Sequence, residues 1–476
     1  MNRLIIFLCS LMSFITVSKA QDNGFSLEEI ENVGLKVVHI NTVDNEEPIC
    51  NYIEAPKGSM GMSITDATKV PCQIIITQHN DTLYDSGQYE ESVSGATIKI
   101  VGNTTAYFSV DENKPYKIKL QKKKDLLFRD DEHYADKEWR LLKDAVSLNT
   151  IIGLKVSELL NFPWTPAYTP CNVFLNGDYQ GCYLLMESVK RNANCRLNVN
   201  QQTGYIIERD PYWWNEDTYF TSDFFSINNA YRWTWKYPNE DKVTEEQETY
   251  IKQFINQAEQ SIIDGNYEAY IDVESFARWV LAQDILGIYD SGGTNLYVTK
   301  YDNTPSSLLQ MPVLWDFDSN FSMEAGQFSR IHDASYDYYF HNLFNNHNQQ
   351  LTDTYKTVWN RVRSTLLEDI TVFISNFIQS EEGKALHQSS QLNIKRWNYD
   401  EFPTLQEFAT EAINWFETHL PLLDQRISQL DETSIIHATV DSKAESLYNL
   451  YGQRITEKPS MHKGIYIQRG RKYIIK

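Results

Sequence analysis

Histidine and cysteine are scarce, ten and six in a chain of 476 residues. Neither is arranged as a metal site. There is no C-x-x-C, no H-E-x-x-H and no Cys/His cluster, which argues against a structural zinc ion. Basic residues are also short: 43 Lys and Arg against 64 Asp and Glu leave a formal charge of -21, with no long basic run. Such a chain repels a phosphate backbone, which excludes nonspecific nucleic-acid binding. Repeats and low-complexity tracts are missing, and 42% apolar with 22% charged residues excludes a disordered chain. After the first twenty residues no apolar run approaches membrane length. No pair of carboxylates stands out by spacing, and the elements do not alternate as a (β/α)8 barrel, which weighs against a glycosidase. What the chain does have is aromatics, 11 Trp, 29 Tyr and 22 Phe, whose ordinary use is in large cores and strands. Its length holds one large domain or two to three ordinary ones.

Residues 1–20 read as an export signal. Asn2 and Arg3 give a short positive start, and residues 4–17 are almost continuously apolar. Ser18 and Ala20 then supply the small residues a signal peptidase needs, making Gln21 the expected mature start. Cys9 lies inside the apolar run and not at the cleavage point, so no lipid anchor is indicated. The expectation is bacterial export to the periplasm, the cell surface or beyond. Five cysteines remain after cleavage, an odd number that leaves at least one free thiol in an oxidising compartment. Cys171 and Cys182 lie on the two arms of an expected hairpin, where a disulfide and a pair of buried small apolar residues are both open readings.

From residue 33 to about 120 the pattern is mostly strand, at 35–40, 72–76, 96–101 and 116–120, with links rich in Gly, Ser, Asn and Asp. Residues 137–160 read as a helix, with Leu141, Leu142, Ala145, Leu148, Ile151, Ile152 and Leu159 at helical spacing. A hairpin follows, 172–175 and 183–186, turning at Asn176-Gly177, where both turn positions need positive φ. Residues 204–208 form a further strand. After residue 240 helices dominate: Thr244 and Gln247 form a capping box, Asp272 caps a second helix, and 355–377 and 406–430 are helical. One strand pair, 296–299 and 311–314, intervenes. The fold class expected is α+β and two-lobed, with a β-rich lobe over about 33–208 and a mainly helical lobe over about 240–430 within a domain spanning 21–435. The cleft between the lobes is the default site. A linker near 433–443 leads to a small β tail over 444–476.

The stretch 289–298 carries the most chemical information: Tyr289, Asp290, Ser291, Gly292, Gly293, Thr294 and Asn295 lead into a strand, and the return strand ends in Trp315, Asp316, Phe317 and Asp318. Phosphoryl transfer to a hydroxyl needs a carboxylate to orient or deprotonate the acceptor, and oxygen ligands for the metal that bridges the phosphates. In that reading Asp290 is the base, Asn295 and Asp316 hold metal, and Asp318 joins them by strand alternation. The plainer reading is a turn in which Gly292 and Gly293 take positive φ and Asn295 satisfies loop amides. Upstream, Val101, Gly102, Asn103, Thr104 and Thr105 make a small-residue turn whose N–H groups suit a phosphate, and Lys117 and Lys119 share one face of the strand after it. An ordinary hairpin with solvated lysines fits the same residues.

Together these segments resemble the CotH kinases, atypical protein-kinase-like enzymes named for spore coat protein H. The resemblance rests on Gly102 to Thr105, on Lys114 to Lys119 and on Trp139 to Leu142. It continues through residues 173–187 around Asn176-Gly177 and 204–208, and closes with 290–295 and 315–318. It covers about 33–425 and implies a two-lobed protein-kinase-like fold that binds ATP with Mg2+ or Mn2+ and phosphorylates a protein on Ser or Thr. Carried onto this chain, Asp290 corresponds to the catalytic Asp and Asp316 to the metal-binding Asp, with Asn295 assisting and Asp318 as a further ligand. Lys119, then Lys117, corresponds to the phosphate-pairing lysine, beside Gly102 and Asn103. Glu187 falls where a segment linking the lobes would run, and Glu158 is a candidate ion-pair partner for the lysine. The chain departs from its relatives at Val101 and at Ile152-Gly153, where many have Arg and Arg-Asn, and so lacks two cationic groups. The alternative is therefore a catalytically inactive, kinase-like binding protein for surface polysaccharide or protein partners, with Trp213, Trp214 and Trp233 as contacts. The tail is similar to short C-terminal β segments of some exported Gram-negative proteins, and a sorting or attachment role stands beside a plain β cap.

Overall fold

The computed structural model describes residues 24–57, 59, 62–65, 67–107, 113–129, 131–143, 147–224, 231–288, 295–328, 338–345, 348–398, 403–430, 447–449, 454–455, 464–468 and 471–475. The expected signal segment 1–20, the stretch 289–294 with Asp290, and the linker at 433–443 lie outside the described residues. The chain divides into two compact units, Met1–Leu423 and Asp424–Lys476.

In the first unit, helix α1 (Leu27–Glu31) leads to strand β1 (Lys36–Thr42), and a separate hairpin follows, β2 (Asn51–Glu54) with β3 (Met62–Thr65). Next come β4 (Val70–Gln78), β5 (Asp81–Asp85), β6 (Ala96–Ile100), the one-turn helix α2 (Thr104–Tyr107), β7 (Tyr116–Lys124) and β8 (Asp136–Leu142). Helix α3 (Asn149–Leu159) precedes the hairpin of β9 (Tyr168–Leu175) and β10 (Asp178–Glu187). The sheet runs β1-β9-β10-β8-β7-β6-β4, and β1 also pairs with β4, so seven strands close into a barrel with β5 attached outside the ring. β1 is the closing strand, parallel to β9 and antiparallel to β4.

Alternation explains the closure. Every second residue points inward, among them Ile40, Ile74, Ile98, Ile118, Trp139, Val173 and Leu185, and together they form one buried cluster. A ring of strands buries this face and leaves no open edge among its members. Asn176 and Gly177 both take positive φ (51° and 81°), so the β9–β10 turn forms as its dipeptide demands. Cys171 lies opposite Tyr183 and Cys182 opposite Asn172, so the two thiols leave the sheet on opposite faces and form no disulfide.

A second, antiparallel sheet has the order β12-β13-β11-β14-β15, from β11 (Tyr205–Asp210), β12 (Tyr219–Phe220), β13 (Arg232–Tyr237), β14 (Leu296–Lys300) and β15 (Leu309–Gln310). Between and after these strands lie helices α4 (Glu245–Asp264), α5 (Val273–Leu286), α6 (Tyr338–Asn345), α7 (Gln350–Val362), α8 (Leu366–Gln379), α9 (Glu381–Trp397) and α10 (Leu405–Ser428). Thr244 and Gln247 close the capping box of α4, and Asp272 caps α5. The second unit carries a four-stranded sheet, β17-β16-β18-β19, from β16 (Leu447–Asn449), β17 (Arg454–Ile455), β18 (Gly464–Gln468) and β19 (Arg471–Ile475).

The expected two-lobed, kinase-like division is therefore corrected. The β-rich half is a closed barrel. The second sheet takes β11 from the expected first lobe and β14 from the expected second, which joins what the division would separate. Helix α9 docks on the barrel through a polar seam. Asn172 Nδ2 donates to Ser389 Oγ (2.9 Å), the Cys182 N–H to Asn393 Oδ1 (3.1 Å) and Trp397 Nε1 to the Gln180 carbonyl (3.0 Å). A side chain on Gly181 (φ +106°) would fall on Asn393, so glycine is what lets the helix approach. The helix expected over 137–160 is also corrected: its first part is strand β8, with Trp139 and Leu141 inward, and only 149–159 is helical. The helix expected at 355–377 is two, α7 and α8.

Candidate functional site

On the outer face of the barrel, β6, β7 and β8 present Lys99, Lys117, Lys119, Glu138 and Arg140 between their inward apolar residues. The register pairs Lys99 with Lys117 and Lys117 with Arg140, so three cations stand in one row across three adjacent strands. Like charges directly opposite are destabilising, and the titration of the row reflects it. Burial, then Lys69 and Arg140, lowers the Lys99 pKa. Burial lowers Lys117 to about 8, with Arg140 and Lys99 adding to the fall and Glu138 opposing it. Lys117 Nζ meets Glu138 Oε2 at 2.7 Å. Burial pushes the Glu138 carboxyl up, but the Lys117 and Lys190 ammonium groups outweigh it and hold the group at about 2.

The second sheet faces this row. Glu208 and Tyr297 form a cross-strand pair on β11 and β14, and both act electrostatically on Arg140 of the barrel. Glu208 binds Lys236 Nζ at 2.8 Å. Two residues along β11, burial and then Glu208 raise the Asp210 carboxyl to about 7, while it accepts from Tyr212 N (2.7 Å) and Thr234 Oγ1 (3.2 Å). The cationic barrel face and the mixed, mainly acidic face of the second sheet form the two walls of the candidate groove.

Asn295 immediately precedes β14, and its Nδ2 donates to Asp316 Oδ2 at 3.2 Å. Both residues take positive φ, 55° and 66°, in the left-handed region that Asn and Asp tolerate better than most. The structure thus brings together Asn295 and Asp316, which the sequence keeps 21 residues apart. Their oxygens are hard donors of the kind Mg2+ takes, one or two protein groups completed by phosphate and water. Among the described residues no three His, Cys, Asp or Glu side chains converge as a metal-binding group.

Asp318 does not share a strand face with Asp316, because 316–318 is not a strand and the positive φ of Asp316 breaks the alternation. Burial raises the Asp318 carboxyl, against the Ser319 N–H and Lys143, and its carbonyl accepts from Asn149 Nδ2 (3.1 Å) at the start of α3. Of the two lysines, Lys117 stands in the row while Lys119 is exposed opposite Glu138. Gly102 (φ +87°) and Asn103 turn the chain at the end of β6, one strand away from the Lys117 end of β7. Glu187 is buried and engaged elsewhere: Arg129 Nη2 (2.9 Å), the Ala167 N–H (3.1 Å) and Trp164 Nε1 (3.2 Å) all donate to it. Glu158 pairs with Lys155 on the surface of α3 (3.1 Å), so the lysine partner in the groove is Glu138. Trp233 is core at 2% exposure, and Trp213 packs on Tyr219 at 4.6 Å.

A family model described as CotH kinase protein matches residues 98–415, about two thirds of the chain. The chain belongs to the CotH kinase protein family. That membership makes it kinase-related. A search of curated proteins finds no match. The matched segment of this CotH protein includes β6 to β8, both motifs and the docking helix α9. Gly153, one of the expected departures from the family pattern, has a structural reason here. A Cβ on Gly153 of α3 would lie 2.1 Å from Phe317 Cδ1, so the ring between Asp316 and Asp318 rests on the bare helix backbone. Lys99, Arg140 and Glu138 went unrecognised in the sequence. For Glu138 and Arg140 the signal was the strand alternation around Trp139, masked by leucines that also fit a helical period, and for Lys99 it was the alternation of β6.

Proposed function

We propose that this CotH protein is an exported phosphotransferase that moves the γ-phosphoryl group of ATP onto a Ser or Thr hydroxyl of a protein. The observation that carries the reading is the Asn295–Asp316 contact, at the end of the strand pair that fronts the cationic row. A chain of charge -21 concentrates Lys99, Lys117 and Arg140 in one row, which suits a compact polyanion such as a triphosphate. Lys117, held by Glu138, engages phosphate oxygens. Asp316 and Asn295 would hold Mg2+ or Mn2+, which when bound neutralises charge on the phosphates.

Asp290 orients the acceptor hydroxyl and takes its proton as the oxygen attacks the γ-phosphorus. The bond from that phosphorus to the bridging oxygen breaks, and ADP leaves. Export rests on the reading of residues 1–20. No helix among the described residues is long and apolar enough to cross a membrane.

Titration calorimetry of the mature chain with ATP and Mg2+ tests this reading. Binding is expected for the wild type and a loss of tenfold or more for Lys117→Met. Absence of heat with ATP and Mg2+, with a signal for glycans instead, would overturn it in favour of a binding protein.

A further inference from the structure

The hairpin of β2 and β3 precedes the segment that matches the family, and among the described strands it pairs with nothing but itself. A lone two-stranded hairpin is marginally stable in water. All four residues of β2 are exposed, so that strand is not held by a core. Its anchors are instead on the two walls of the groove. On the barrel side β3 packs against α2, and Tyr52 Oη donates to the Ala106 carbonyl at 2.8 Å. On the other side β3 touches the turn Trp213–Asn215, which leads into the second sheet. The base of the hairpin is closed by the Thr68 N–H to the Ile49 carbonyl (2.9 Å).

Ala106 lies three residues after Asn103, and its carbonyl also accepts from Lys114 Nζ at 3.1 Å. The turn of Gly102 and Asn103 is therefore tied down at one carbonyl by two donors, one local and one from the hairpin. The turn itself stands at the end of β6, beside the Lys99–Lys117 pair. Glu216, one residue beyond the Trp213–Asn215 turn, acts electrostatically on Lys99 from the opposite wall. The hairpin thus bridges the barrel and the second sheet at the end where the cationic row lies.

We propose that this hairpin is a strap across the groove and that Tyr52 is a positioning residue, holding the Gly102–Asn103 turn in place for the phosphates of the bound nucleotide. This rests on the phosphotransferase reading for its ligand. The strap itself rests only on the contacts of the hairpin. Tyr52→Phe removes the hydroxyl that donates to the Ala106 carbonyl and leaves the ring in place.

The test compares Tyr52→Phe with wild type in the full mature chain. Hydrogen exchange of the amides of residues 102–107 is expected to speed up, with no change in melting temperature. The KM and Kd for ATP with Mg2+ are expected to rise about fivefold, the worth of one hydrogen bond, with kcat unchanged. Unaltered exchange in 102–107 overturns the strap whether or not the chain binds ATP. Faster exchange with unchanged KM and Kd overturns the positioning role. A wild type that binds no ATP overturns the phosphotransferase reading and the positioning role with it, and the exchange result still decides the strap.

Discussion

Lys117 carries two opposing pH effects, and together they identify its role. With its pKa lowered to about 8, it is protonated below that pH and neutral above it. Affinity for a phosphate anion should therefore fall as pH rises through about 8, and calorimetry across pH 7 to 9 measures it. Lys117→Arg should keep the affinity flat over that range, since a guanidinium stays charged. Stability moves the other way. A lysine whose folded pKa lies below its unfolded value of 10.5 costs stability while charged, so the protein should gain stability as pH rises from about 8 toward 10.5. Chemical denaturation at pH 7.5 and 9.5 checks the sign. Asp316→Asn keeps the shape of the side chain but removes its charge. Phosphate transfer should drop at least a hundredfold with the melting temperature unchanged, and a fully active variant would remove Asp316 from the metal site.

Helix α3 sets the position of the motif around Phe317, and helix α9 is bonded to the barrel. Gly153→Ala in α3 would gain about 1 kcal/mol of helix propensity if the site were open. The Phe317 ring occupies that space, so the substitution should instead destabilise by about 1–3 kcal/mol, read as a lower melting temperature and reduced activity. Replacing Asn393 of α9 by Ala leaves the buried Cys182 N–H without its acceptor and should cost about 1–3 kcal/mol in denaturant unfolding. The same elements show what could be read before the structure was known. The Asn176-Gly177 turn, the capping box at Thr244 and the cap at Asp272 were legible because each is decided by a few neighbouring residues. Strand β8 was not. Trp139 and Leu141 alternate as in a strand, but Leu141, Leu142 and Leu148 also fit a helical period, and only pairing with β7 and β10 decides between them. With β8 went Glu138 and Arg140, two of the five charged residues on that barrel face. Asn295 and Asp316 were legible as residues, but their contact depends on two positive-φ positions that strand alternation does not foresee.

At the scale of the molecule, closure of the barrel is a long-range property. β1 pairs with β9 and β4, so the ring closes only when segments more than a hundred residues apart meet, as at Lys36 with Cys171. No periodicity within one segment reports that. The consequence for function is rigidity. The lysine ion pair lies between adjacent barrel strands and not between a strand and a mobile helix, and α9 is bonded to the barrel across the polar seam. The groove is assembled by folding itself. The measurement that bears most directly on this account is transfer of labelled γ-phosphate from ATP by the chain from Gln21 onward with Mg2+ or Mn2+, wild type beside Asp290→Ala. The account predicts phosphoserine or phosphothreonine with the wild type and none with the variant, both folded. Equal labelling by the two proteins, or none by either with both metals, would contradict it.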